Sequence, residues 1–101
     1  MIKVIIKGKD SIDSITIKGH ADFDQYGKDI VCAAVSSISL TTCNAILCLE
    51  ESIECNEKEG LLDIKVIENT DVNNKLLNNM IDMLKELKSQ YPKNIEIRNE
   101  E

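Results

Sequence analysis

The sequence predicts an α/β protein of the α+β type, a two-layer sandwich in the order β-β-α-β-β-α-β with a mainly antiparallel sheet. Three observations support this: several short β-branched runs with partial alternation, one long uncharged apolar segment, and one segment with amphipathic helical spacing. The 101 residues, 43% of them hydrophobic, fit a single domain over 1–101 with one modest core.

Residues 2–8 and 12–18 form the first pair of predicted strands. The turn-forming residues Gly8, Lys9, Asp10 and Ser11 lie between them, so a β-hairpin is expected. The following residues, up to Asp29, show no period and are rich in glycine and aspartate, which predicts a loop.

A helix is predicted from Asp29, or a residue or two earlier, to about Leu49. Residues 30–40 carry no charge at all, and a helix that is small and apolar nearly all round is typically buried. Ser36, Ser39 and Cys43 fall near the face of Cys32. Most of that face is expected to be core or subunit contact, which leaves only the tip of the helix for chemistry.

The second half repeats the order strand, strand, helix. Residues 51–58 and 61–68 form a second predicted hairpin around 58–60, and Thr70 or Asp71 can cap a helix over about 72–90. The apolar positions of this helix are Val72, Leu76, Leu77, Met80, Ile81, Met83, Leu84 and Leu87. Pro92 stops the helix, and the alternation around Ile95 and Ile97 predicts a final short strand.

The net charge of −6 argues against nucleic acid as a direct partner, because phosphate binding needs clustered Lys and Arg. The charge suits a basic protein partner, although it equally suits mere solubility. The apolar stretch at 30–35 is too short to span a bilayer and no signal peptide opens the chain, so a cytoplasmic protein without membrane contact is expected.

The four cysteines are expected to be reduced thiols, since no secretion signal is present. Cys32 and Cys43, if on one helix, are about 16 Å apart, too far for a disulfide. Cys48 and Cys55 follow at spacings that lack a C-x-x-C pair, so no zinc site is predicted. No nucleotide-binding glycine motif occurs either, and no cofactor or metal is expected.

His20, the only histidine, ends a predicted strand, and Cys32 lies in the first turn of the apolar helix. A helix N-terminus favours a thiolate, and a nearby imidazole could take the thiol proton. The free N–H groups there, including that of Cys32, could hold an oxyanion. From the pattern alone, Cys32 is equally read as a small core residue and His20 as a surface or capping residue.

Neighbouring residues have competing interpretations. Asp29 either caps the helix or orients His20, while Asp22 and Asp24 are alternative orienting groups or solvated loop residues. The aromatic residues of the loop either line a substrate groove or anchor the loop, and its glycines are hinges or turns. The candidate substrate-loop residues are Gly19, Asp22, Phe23, Tyr26, Gly27 and Ser36.

The string Gly-His-Ala at 19–21, followed by Gly-Lys-Asp-Ile-Val-Cys-Ala-Ala-Val-Ser at 27–36, closely resembles the ribosomal-processing cysteine protease family, Prp. The resemblance implies that His20 and Cys32 are a catalytic pair, with a mobile loop 21–28 that orders over substrate. It also implies a homodimer whose substrate is a ribosomal protein precursor. In that family, the protease removes the N-terminal extension of large-subunit ribosomal protein twenty-seven, which presents apolar and aromatic residues before the cut.

Two alternatives to proteolysis remain open at this point. One is a non-catalytic ribosome-associated binding module that keeps the fold, in which alkylation of Cys32 would leave function unchanged. The other is a thiol redox sensor, in which Cys32 would pair with a second cysteine within reach.

Overall fold

The computed structural model describes residues 1–25 and 29–101, and within them five strands and two helices follow the predicted order. The elements are β1 (Ile2–Lys7), β2 (Ser14–Lys18), α1 (Ile30–Leu49), β3 (Ile53–Lys58), β4 (Leu61–Val66), α2 (Asp71–Gln90) and β5 (Ile95–Glu100). The sheet order is β3-β4-β2-β1-β5. Only the β1–β5 pairing among these strands is parallel, so the predicted α+β sandwich with a mainly antiparallel sheet is confirmed.

The strand register collects the apolar side chains on one face of the sheet. Val4 pairs with Ile17, which pairs in turn with Leu62, and the next row runs from Ile15 to Ile64. Since side chains alternate between the two faces of a strand, these paired residues project to the same side. All five are buried, and they form the floor of the core.

Helix α2 covers this floor with a narrower stripe than the sequence predicts. Leu77, Met80, Ile81 and Leu84 are buried, whereas Met83 is 43% exposed. The prediction that Met83 belongs to the apolar contact face is therefore wrong. One residue is 100° of rotation on a helix, enough to turn Met83 from the sheet into solvent while its neighbour Leu84 is fully covered.

Helix α1 is much less buried than its composition suggests. The residues of α1 that face the core are Val31, Val35, Ser39, Cys43 and Ile46. Its outer side is open, where Ile30 is 57% exposed, and Leu47 and Leu49 near its C-terminal end are 44% and 67% exposed. The prediction of a helix buried nearly all round is wrong, because the sheet and α2 reach only one side of it.

By length and composition alone, α1 could cross a membrane, with a mean hydropathy of 1.8. The apolar stretch is longer than predicted, since it extends over the whole of α1 rather than over 30–35. A core helix of a soluble protein passes the same test, and α1 packs against α2 and the sheet. The absence of membrane contact stays a prediction.

Asn73 ties the start of α2 to the segment that follows α1. Thr70 is the N-cap and accepts from the Asn73 N–H at 3.1 Å, which settles the choice between Thr70 and Asp71. The Asn73 amide is buried and donates to Ser52 Oγ at 2.9 Å and to the Glu68 carbonyl at 2.8 Å. A buried amide with these partners fixes the two helices relative to each other, because unmaking such bonds would leave polar groups unpaired.

Candidate active site

Cys32 is the third residue of α1, and Asp29 fixes the start of this helix. Asp29 Oδ1 accepts from the N–H groups of Val31 at 2.9 Å and Cys32 at 3.0 Å. Its other oxygen, Oδ2, accepts from the N–H of Phe23 at 3.0 Å. One carboxylate therefore caps the helix and ties the preceding loop to it.

Burial alone would raise the pKa of Asp29, but the backbone N–H groups that it accepts from outweigh burial and hold the pKa below its ordinary value of 3.8. These hydrogen bonds support the capping role predicted for Asp29. The second predicted role, orienting His20, stays a prediction.

Because the folded-state pKa of Asp29 is depressed, its contribution to stability is complete above pH 3.8 and is lost as the pH falls through the folded value. We expect Asp29→Ala to cost about 0.5–2 kcal/mol near neutrality, as for other N-caps. Chemical denaturation of the wild type and Asp29→Asn from pH 7 to pH 2 measures the acid-sensitive part. The two curves should converge in acid, and parallel curves would contradict the cap. Turnover lost by Asp29→Asn with unchanged melting would contradict a purely capping role.

The residue after His20 contacts the sulfur of Cys32 directly. The Ala21 N–H donates to Cys32 Sγ at 3.1 Å, and Ala21 is almost fully buried. Its carbonyl accepts from the Asn94 side-chain amide at 2.9 Å, just before β5. An N–H aimed at sulfur can stabilise negative charge there, and the contact brings the end of β2 to the first turn of α1.

Two adjoining clefts meet at this contact, and His20, Cys32 and Ser36 line both. The turn-side cleft, about 590 Å³, lies between α1 and the β3–β4 turn. It is lined also by Ile2, Ile17, Gly19, Val35, Ser39, Leu40 and residues 57–62. The loop-side cleft, about 500 Å³, is lined also by Asp22, Asp24, Asp29 and Ala33. The turn-side cleft therefore combines aliphatic side chains with the charged residues 57–59, whereas the loop-side cleft has an acidic wall.

Some of the other predicted loop residues line the clefts, and others pack against the rest of the fold. Gly19 has φ +97°, a conformation that favours glycine and fits the predicted turn role. Its N–H donates to the Gly60 carbonyl at 2.9 Å, next to the Lys18–Leu61 pair of β2 and β4. Asp22 lies on the acidic wall, whereas Phe23 packs edge-on against Tyr91 with ring centroids 5.3 Å apart. This packing favours the anchoring role of Phe23. The predictions for Tyr26 and Gly27 lie outside the described residues.

The remaining cysteines show no comparable setting. Burial and the neighbouring Cys55 thiol raise the pKa of Cys43 well above its ordinary value, and burial also raises the pKa of Cys55. Thiols with raised pKa values are poor nucleophiles at neutral pH. Cys48 is exposed on the outer side of α1. Within residues 1–25 and 29–101, no cluster of His, Cys, Asp or Glu has the arrangement of a metal site.

A partly exposed thiol in the first turn of a helix, in clefts that the sole histidine also lines, is compatible with a thiol hydrolase. The family model described as "Cysteine protease Prp" matches residues 1–96. The chain therefore belongs to the Prp family of cysteine proteases.

Similar proteins support this assignment over the whole chain. A ribosomal processing cysteine protease Prp from Staphylococcus aureus is 27% identical over 100 residues, covering 95% of this chain and 94% of the relative. The crystal structure of the essential S. aureus Prp with a covalently linked product peptide has a TM-score of 0.94 and 31% identity, covering 99% of this chain and 100% of that chain. Its complex with a substrate peptide has a TM-score of 0.81 and 30% identity over the same shares of the two chains.

Three features of the site were not predicted from the sequence: the Ala21 N–H, the Asn94 amide and the position of Gly60 beside His20. Every residue except proline has a backbone N–H group, so the sequence does not show which of them contacts the sulfur. Asn94 lies 73 positions from its partner, and no local pattern reports such a contact. Gly60 was identified only as part of a predicted hairpin turn, which was the one available signal.

Proposed function

We propose that this protein is a cysteine endopeptidase that removes the N-terminal extension of large-subunit ribosomal protein twenty-seven, with Cys32 as nucleophile and His20 as base. The observation that carries the proposal is the 3.1 Å hydrogen bond from Ala21 to Cys32 Sγ, because it joins the histidine-bearing strand end to the thiol within one cleft. The product peptide covalently linked to the S. aureus relative supports covalent catalysis as the class of mechanism.

In the proposed reaction, His20 takes the proton of the Cys32 thiol and the thiolate attacks the scissile carbonyl carbon. The tetrahedral intermediate collapses as His20 returns the proton to the departing amine, which leaves a thioester on Cys32. His20 then activates a water molecule that hydrolyses the thioester. The acid is released and the thiol is restored.

The oxyanion of this reaction needs at least one hydrogen-bond donor near Cys32. The Cys32 N–H is already donated to Asp29 Oδ1 at 3.0 Å, and the Val31 N–H is donated to the same atom. The role of the Cys32 N–H in holding the oxyanion stays a prediction, because the helix cap engages this group in the resting site. We assign the same role to the Ala21 N–H, because it donates to Cys32 Sγ and the negative charge passes from this sulfur to the carbonyl oxygen during attack.

The walls of the clefts suit a ribosomal protein precursor. The aliphatic residues Ile17, Leu40 and Leu62 of the turn-side cleft offer apolar surface to residues before the cut. On the other side, Asp22 and Asp24 offer negative charge, and the net charge of −6 favours encounter with a basic protein. Ribosomal processing by the S. aureus relatives supports the same substrate class.

The test is incubation of the purified, reduced protein with the precursor of ribosomal protein twenty-seven and, separately, with its mature form. Mass spectrometry should show one defined cut in the precursor and none in the mature protein. No cut in the precursor by folded, reduced protein would contradict the proposal and favour the non-catalytic binding module.

We also propose that the protein acts in the cytoplasm as a homodimer. The homodimer is supported by the exposed apolar side chains of α1, Ile30, Leu47 and Leu49, because contact with a second copy would remove them from water. The proposed substrate supports the cytoplasmic location, because a ribosomal protein precursor is made and assembled in the cytoplasm.

A further inference from the structure

The β3–β4 turn packs directly against the imidazole of His20. A β-carbon added at Gly60 would lie 3.2 Å from His20 Nε2, 3.6 Å from Cε1 and 4.0 Å from Cδ2. The Gly60 carbonyl also accepts the N–H of Gly19, the residue before His20, at 2.9 Å. The turn therefore holds the backbone of Gly19, next to His20. Because Gly60 has no side chain, the His20 ring can lie close to the backbone of the turn.

A side chain at position 60 would displace the ring rather than the backbone. At the other described glycines with positive φ, Gly8 and Gly19, an added β-carbon would collide with backbone atoms of Ser11 and Met1. At Gly60, its three nearest neighbours are all atoms of one imidazole, and His20 is exposed. A separation of 3.2 Å is closer than comfortable carbon–nitrogen contact, so the ring must move by some tenths of an ångström.

We propose that Gly60 is a positioning residue for the catalytic base, and that the β3–β4 turn sets where the His20 imidazole lies relative to Cys32. This inference rests on the proposed function, in which His20 takes the proton of Cys32. Proton transfer depends steeply on the separation and direction of the two groups, so a small displacement of the ring reduces the rate strongly. The turn thereby contributes to the site through the position of His20 and takes no part in the chemistry itself.

The test uses Gly60→Ala and Gly60→Asn. Both add a β-carbon, but Asn tolerates the φ of +71° at this position far better than Ala, so backbone strain and contact with the ring are separated. Lys85→Gly, on the exposed side of α2, is the control for loss of stability without a change at the site. Thermal melting of the three variants verifies that each is folded.

Two readouts do not depend on proteolysis. His20 is the only histidine, so its imidazole signals in NMR titrations are unambiguous, and carbamidomethylation of Cys32 can be located by peptide mass mapping. Both Gly60 variants should change the imidazole chemical shifts and slow Cys32 alkylation near neutral pH about tenfold or more. Lys85→Gly should match the wild type.

With the precursor as substrate, both Gly60 variants should lower kcat about tenfold or more and leave KM close to that of the wild type. Imidazole signals and alkylation rates identical to those of the wild type in both Gly60 variants would overturn the inference. If the wild type fails to cut the precursor while the imidazole and alkylation changes occur, the proposed substrate fails and the positioning role of Gly60 stands.

Discussion

His20→Gln should lower kcat for cleavage of the precursor by about 10²–10⁴-fold, the usual contribution of a general acid–base residue. Glutamine keeps a polar side chain of similar reach but takes no proton at neutral pH. His20 is exposed at the end of β2, so the substitution should leave the melting temperature nearly unchanged. The measurement is steady-state cleavage of a peptide that spans the precursor junction.

Lys18→Gln is a matched control for this loss, because Lys18 is exposed at the end of β2, two residues before His20. It should retain the wild-type kcat. The pH profile adds a second signature, since the limb of kcat/KM that reports deprotonation of the base should disappear only in His20→Gln. A kcat for His20→Gln within about threefold of the wild type would contradict a general-base role.

Local patterns were sufficient to predict most of the fold. The turn residues that end at Gly60 predicted the second hairpin. Asp29 predicted the start of α1, and its carboxylate accepts two N–H groups of the first turn. These features depend on neighbours within a few residues, which is the range that sequence patterns report. The parallel pairing of β5 with β1 joins residues as distant as Ile2 and Ile95, and no local pattern encodes it.

The exposure of α1 shows a different limit of sequence reading. An uncharged helix predicts burial, but composition does not specify how many sides a two-layer fold can cover. Leu47 and Leu49 therefore remain exposed although their residue type is typical of a core. The prediction for Met83 was wrong for a related reason, since helical spacing alone does not determine where the buried face of a helix ends.

The candidate site could be predicted in part, because its two reactive side chains stand out by type. His20 is unique in the chain and Cys32 lies at a helix start. What surrounds them could not be predicted. The engagement of the Cys32 N–H by Asp29 and the hydrogen bond from Ala21 to the sulfur are set by how the loop folds back onto α1.

Cleavage of the precursor by Cys32→Ala is the measurement that tests the central claim most directly. Alanine removes the sulfur and little else, and Cys48→Ala on the exposed side of the same helix is the matched control. Mass spectrometry should show the defined cut with the wild type and Cys48→Ala, and no cut above background with Cys32→Ala. A folded Cys32→Ala variant that makes the same cut at a comparable rate would show that Cys32 is not the nucleophile.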